Sequence, residues 1–217
     1  MGQLFGNISM SLDGFVAGPE PSLEDPLGKG GEQLHEWAFA TQAWREPHGE
    51  SGGETNVDSE LIEGAIARTG ATIMGRRMFS GGEGPWEDDP NADAWWGDDP
   101  PFHHAVFVLT HHERAPLAKD GGTTFTFVTD GIESALDQAR SAAGDKDVAI
   151  AGGAEAIQQY LKAGLLDELH LHVAPVLLGR GRRLLDGLDP GRLTCTGVVE
   201  SPSGVAHLSY RLSDPPA

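Results

Sequence analysis

The sequence predicts an α/β domain built on a mixed, mostly parallel sheet. Short, unbroken apolar runs such as Ala105-Val106-Phe107-Val108-Leu109 and Val148-Ala149-Ile150-Ala151 read as strands buried on both faces, the pattern of parallel sheets. Amphipathic segments over 56–68, 132–143 and 154–163 alternate with those runs. At the C-terminal end, 193–200 and 205–212 are joined through Ser201-Pro202-Ser203-Gly204 and read as a closing antiparallel hairpin.

Residues 3–13 form the first expected strand, stopped by the turn pair Asp13-Gly14, and Phe15-Val16-Ala17-Gly18 leads into a loop. Gly, Pro and acidic residues make most of 19–53 a loop, with Leu34, Trp37, Phe39 and Trp44 as anchors of a short helix. The helix over 56–68 has Asn56 or Asp58 as N-cap, Leu61, Ile62, Ala65 and Ile66 at helical spacing, and Gly70 as its stop. A strand over 71–74 runs into Gly75-Arg76-Arg77-Met78-Phe79. An acidic insertion follows at about 81–101, a solvated segment anchored by Trp86, Trp95 and Trp96, or else a lid, a substrate-pocket wall or the cover of a dimer edge. Strands over 105–109 and 125–128, a helix over 132–143 and a strand over 147–151 continue the alternation. Gly152-Gly153 then opens the helix over 154–163, and 169–176 alternates as a strand. Only 213–217 looks like a disordered tail.

Composition narrows the function. The 217 residues, 39% of them hydrophobic, suit one domain spanning 1–217. A net charge of -18 repels polyphosphates, so nucleic acid and anionic membranes are poor partners, and an anionic ligand needs a local basic pocket. Cys195 is the sole cysteine, which excludes an internal disulfide and a cysteine metal cage within one chain. Without an apolar run long enough for a membrane span or a leader pattern, the expected location is the cytoplasm.

Two strand-to-helix junctions are candidate anion sites. Gly75-Arg76-Arg77-Met78 can bring backbone N–H groups and a guanidinium to a phosphate, or be two solvated arginines after a turn. Ala151-Gly152-Gly153-Ala154 lets a pyrophosphate approach a helix N-terminus, or is a plain tight turn; it is not the Gly-x-Gly-x-x-Gly dinucleotide fingerprint. Both lie at C-terminal ends of strands, where open α/β sheets bind ligands. Thr110, His111 and Arg114 follow a third buried strand and can receive a 2′-phosphate, though Thr and His are also ordinary loop residues.

The order of these pieces, from Ile8-Ser9-Met10-Ser11-Leu12-Asp13-Gly14 through Thr72-Ile73-Met74-Gly75-Arg76, Val108-Leu109-Thr110 and Ile150-Ala151-Gly152-Gly153 to 167–181, resembles the dihydrofolate reductase-like superfamily. It is most similar to the reductase domain of the bifunctional riboflavin-pathway deaminase-reductase and its stand-alone relatives. The resemblance implies a three-layer α/β/α fold, NADPH across the C-terminal strand ends, a small-molecule substrate and a homodimer. Ile8, Ser9, Val16 and Ala17 would face the nicotinamide. Gly75, Arg76, Arg77 and Met78 would contact the cofactor phosphates and adenosine ribose, with Thr110 and His111 beside the 2′-phosphate. Gly152, Gly153, Ala154 and Glu155 would cradle the pyrophosphate, with a cis peptide between the two glycines.

The implied activity is NADPH-dependent hydride transfer to a C=N or C=O bond of a small heterocyclic or ribosyl-pyrimidine substrate. Asp58 is the candidate catalytic carboxylate, or the helix cap; Asp13 orients substrate or a proton-donating water, or closes a turn. His170 and His172 share a strand face and are either metal ligands or ordinary strand residues. Arg180, Arg182 and Arg183 are a second basic patch or a solvated turn. The alternatives are a non-catalytic nucleotide-binding module of the same fold, a pteridine or dihydrofolate reductase, and, more distantly, a flavin-binding protein.

Overall fold

The computed structural model describes residues 2–188 and 193–212. Its strands are β1 (Leu4–Ser11), β2 (Phe15–Ala17), β3 (Thr69–Gly75), β4 (Ala105–Leu109), β5 (Leu117–Ala118), β6 (Thr124–Val128), β7 (Asp147–Gly152), β8 (Glu168–Ala174), β9 (Arg182–Arg183), β10 (Leu193–Glu200) and β11 (Ala206–Leu212). The α-helices are α1 (Glu36–Phe39), α2 (Gln42–Arg45), α3 (Val57–Arg68), α4 (Arg76–Ser80), α5 (Ile132–Ala143) and α6 (Ala154–Lys162). The tail expected over 213–217 lies outside the described residues.

Nine strands form one sheet in the order β10-β11-β8-β1-β7-β3-β4-β6-β5. The six from β8 to β6 are mutually parallel, while β11 and β5 run antiparallel to their neighbours. The C-terminal hairpin of β10 and β11 is therefore present, as expected. The parallel order also brings the loops after β1, β3, β4, β6, β7 and β8 out at one end of the sheet.

The central strands are apolar throughout because both faces are covered. Phe107 of β4 enters the core formed with α5 and α6, whereas Val106 and Val108 enter a second core with Phe79 and Phe125. Helix α5 lies close on the sheet through Ala135, Leu136, Ala139 and Ala143, a row at helical spacing. On the opposite face the insertion contributes Trp86 and Trp96, joined by Phe102 just beyond it, so its aromatics serve as anchors as expected.

Four local expectations need correction. Phe15–Ala17 is a strand, not the start of a loop, because it finds an antiparallel partner in β9. The segment 19–53 holds two four-residue α-helices and 3-10 turns where one short helix was expected. Asn56, not Asp58, caps α3: its side-chain oxygen accepts from the N–H groups of Asp58 at 2.9 Å and Ser59 at 3.2 Å. Gly70 is not a helix stop but part of β3. A Cβ there would lie 2.7 Å from Lys146 Cβ and 2.8 Å from the Ala143 carbonyl, so glycine is required by the close approach of the α5 terminus.

Candidate functional site

The loops converging at the C-terminal end of the sheet carry most of the residues singled out from the sequence. Between β3 and β7, three glycines leave backbone bare. A Cβ on Gly75 would sit 3.8 Å from Gly153 N and 3.9 Å from Gly152 O, and one on Gly153 would meet nothing within 4 Å. Gly152 has φ +135°, where a side chain is strained, and its bond to Gly153 is cis, as the resemblance implied. Gly153 is the N-cap of α6 with no side-chain cap, so the N–H groups of Ala154 and Glu155 are open to an anion. Met78 borders this cradle, its sulfur 3.3 Å from the position of a Gly152 Cβ.

The two arginines after Gly75 part company. Arg76 is buried: its guanidinium donates to Ser80 Oγ and Asp89, and lies 3.6 Å from the Trp86 ring centre. Although burial opposes it, the hydrogen bonds from Ser80 and Arg76 hold the Asp89 carboxyl below the usual carboxylate range. At the cradle Arg76 thus offers its backbone, while its side chain fastens the insertion. Arg77 is half exposed and pairs with Glu83.

Thr110 is buried at the end of β4, its hydroxyl accepting from His112 N at 3.1 Å, and His111 is exposed beside it. A recess of about 470 Å3 opens nearby, lined by Glu113, Arg114, Phe127, Thr129 and Asp130. Arg114 is engaged there by Asp93 and the Ala92 carbonyl. A larger cavity of about 840 Å3 lies at the opposite end of the strands, between Glu63, Phe102, His104 and Lys146, away from every glycine of the cradle.

Ile8 and Ser9 lie on β1 and Val16 and Ala17 on the adjoining β2; Ile8 packs against the main core, whereas the buried Ser9 turns to Trp37. The ribbon of β2 with β9 brings Arg182 and Arg183 alongside β2: Arg182 pairs with Glu155 of α6, and Arg183 donates to Asp13 O at 3.0 Å while lying over Phe15. Asp13 accepts from Ser11 Oγ at 2.6 Å and from the N–H groups of Leu178 and Gly179. Ser11 above all, opposed by a little burial and helped by those two N–H groups, holds the Asp13 carboxyl low. These contacts pin the 177–179 turn against β1.

Asp58 is 1% exposed at the first turn of α3, and its Oδ1 lies 2.7 Å from His207 Nε2. His207 Nδ1 is 2.6 Å from His172 Nδ1, and His172 Nε2 meets Asn7 Oδ1. Ser9, His172 and His207 are register neighbours on β1, β8 and β11, and Trp37 covers the row, donating to Ser9 Oγ at 3.0 Å. His170, the other histidine of β8, is held separately by Ser209 and Glu168. Asp58 was legible as a candidate, but its partner 149 positions away was not. The available signal was a histidine at an inward position of an alternating strand.

Comparison with known proteins agrees with this architecture. A 118-residue stretch is 32% identical to the uncharacterized protein YyaP of Bacillus subtilis (strain 168), covering 52% of this chain and 62% of that protein. A protein assigned to riboflavin biosynthesis in Shewanella sp. PV-4 superposes with a TM-score of 0.62 at 20% identity, over 98% of this chain and 99% of the other. The diaminohydroxyphosphoribosylaminopyrimidine deaminase/5-amino-6-(5-phosphoribosylamino)uracil reductase of Thermotoga maritima gives 0.55 at 14% identity, over 98% of this chain but 57% of its own. A dihydrofolate reductase from Enterococcus faecalis, complexed with NADP(H), gives 0.53 at 13% identity over 98% of both chains. At these identities the structures establish a dihydrofolate reductase-like fold. The family model of the RibD C-terminal domain matches residues 3–207, nearly the whole described sheet, and the chain belongs to that family.

Proposed function

We propose that the protein is an NADPH-dependent reductase that transfers hydride to a C=N or C=O bond of a small heterocyclic or ribosyl-pyrimidine substrate, the reaction class of 5-amino-6-(5-phosphoribosylamino)uracil reductase. The observation that carries this reading is the bare glycine surface of Gly75, Gly152 and Gly153 against the uncapped N-terminus of α6. It fits a pyrophosphate, because backbone N–H groups can reach the oxygens with no Cβ in the way. The bound cofactor would supply hydride; this chain would position it and supply the proton.

The cations at the rim, Arg77 and Arg182, sit in exposed pairs with Glu83 and Glu155. Such pairs contribute little to stability, so both side chains are free to turn to a phosphate. Val16 and Ala17 on β2 and Ile8 and Ser9 on β1 would seat the nicotinamide, and Thr110 with His111 the adenosine end. Asp58 is the carboxylate for protonation, since of the candidates Asp58 and Asp13 it is the one that is buried with an oxygen left unpartnered among the described residues.

The test is a fluorescence titration of NADPH and NADH on wild-type protein and on Gly75→Val. Gly75 has φ -79°, so valine fits the backbone and its methyl groups fill the cradle. The expected result is NADPH binding that the substitution weakens by at least about tenfold, the loss of one good contact region of about 1.4 kcal/mol. Failure of the wild-type protein to bind either nucleotide would defeat the reading. Equal binding by both proteins would move the pyrophosphate away from the cradle.

A further inference from the structure

The hydrogen bonds from Asn7 to Asp58 form one buried chain, and its acceptors fix how many hydrogens it holds. His172 Nε2 faces the amide oxygen of Asn7, so that nitrogen carries a hydrogen and donates it. Burial first, then the neighbouring His207, His170 and His35, pushes His172 down to about 3; the ring is neutral and its Nδ1 is bare. The 2.6 Å contact between the two Nδ1 atoms therefore places a hydrogen on His207, which donates it to His172.

That leaves His207 Nε2 facing Asp58 Oδ1 at 2.7 Å. A bare ring nitrogen against a bare carboxylate would oppose two lone pairs at hydrogen-bond distance, so one proton lies between them. It rests on nitrogen, as imidazolium with carboxylate, or on oxygen, as imidazole with carboxylic acid. Either way the pair is neutral overall, as side-chain exposures of 4% and 1% require. The titratable group that faces the pair is His172 from β8, which in turn has His170 and His35, from the turn before α1, near it; Trp37 closes the row without titrating. Asp58 Oδ2 is buried and has no partner among the described residues, an open end of the chain.

We propose that Asp58 and His207 share a single proton, that His172 and Asn7 set the direction of the chain, and that the proton leaves through Asp58 when substrate is reduced. His207 is then a positioning residue acting through Asp58. The last clause rests on the reductase reading above. In the step, hydride adds to carbon while the π bond to nitrogen or oxygen breaks, and that atom takes the proton from Asp58. The Asp58–His207 pair is left with one negative charge until solvent water returns a proton.

The test combines two readouts on full-length protein. Side-chain nitrogen NMR of the resting protein reads the histidine tautomers directly. The expected spectrum has neutral His172 protonated at Nε2, and His207 protonated at Nδ1 with a bridging hydrogen at Nε2 that disappears in Asp58→Asn. A His172 protonated at Nδ1, with His207 donating to a bare carboxylate, would overturn the shared proton, because the chain would then point the other way. The second readout is single-turnover NADPH oxidation with 5-amino-6-(5-phosphoribosylamino)uracil for wild type and His207→Gln, whose amide still donates to Asp58. The expected loss is about 100-fold at alkaline pH and much smaller in acid, where Asp58 takes its proton from solvent. A loss uniform with pH would overturn the delivery role. If NADPH binds but the pyrimidine is not reduced, the substrate assignment fails, while the histidine spectrum still decides whether the proton is shared.

Discussion

On the β3–β4–β6 side the sheet face is sealed by rings. Phe79 meets Trp86, Phe125 and Phe127 at centroid distances of 5.9, 5.1 and 5.1 Å, all three edge to face. On the β1–β8–β11 side an equally deep layer is filled by Ser9, His172, His207 and Asp58 under a single tryptophan. The first arrangement draws its energy from area and shape, and any loss leaves a void. The second draws little net energy, because desolvation offsets its hydrogen bonds, but it tolerates no half-removal. One flank is sealed chiefly by packing, with the buried Arg76–Asp89 pair fastened against Trp86, and the other keeps a connected row of ionisable groups buried in a fixed geometry.

The sharpest way to break this contrast is to truncate each flank. Phe79→Ala should cost about 3–5 kcal/mol in chemical denaturation, and no neighbouring single change should restore it. Asp58→Ala should cost a comparable ~3–5 kcal/mol by stranding His207, yet Asp58→Leu combined with His207→Phe should recover most of it, since an apolar pair replaces the ionisable one. A double variant as unstable as the single would show that the polar flank also depends on packing alone.

Acid should separate the flanks further. His172 titrates at about 3 in the folded chain against an ordinary 6.5, so the unfolded chain binds more protons between those values. Stability is therefore full above the ordinary histidine value and falls as pH drops toward 3, by several kcal/mol at about 1.4 per pKa unit. His104, lowered by burial to about 4 and bonded to Thr72 Oγ1, adds a smaller loss in the same direction. His172→Gln should flatten most of that slope in urea melts taken across the acid range; an unchanged slope would place the sensitivity elsewhere. The smallest effect is expected on the aromatic flank: Trp95→Phe removes the 2.8 Å hydrogen bond to the Met78 carbonyl and should cost about 1 kcal/mol in thermal melts.

The same contrast separates what was legible in the sequence from what was not. Strands β4 and β7, helix α5 and the paired glycines are local signals, and their period and composition speak for themselves. The ribbon of β2 with β9 joins segments far apart in sequence and too short to show periodicity, so Arg182 and Arg183 read equally well as a turn. Arg76 was singled out for its position after a strand, but the Asp89 that engages it sits in an insertion whose acids all look alike. In α3 the spacing of Leu61, Ile62, Ala65 and Ile66 suggested an apolar face, yet Ile66 is 51% exposed and the buried positions are Asp58 and Ser59. There the tertiary polar contacts override the pattern.

The placement of β1 also governs when the domain can assemble during synthesis. It lies between β7 and β8, and Leu4 donates to Asp167, 163 positions later. A ribosome releasing the chain from its N-terminal end therefore exposes β1 long before either neighbour exists. Its apolar residues Leu4 and Phe5 must wait, open to chaperones or to misassociation, until β8 has emerged. Assembly of the sheet is thus expected to wait until nearly the whole parallel set is available.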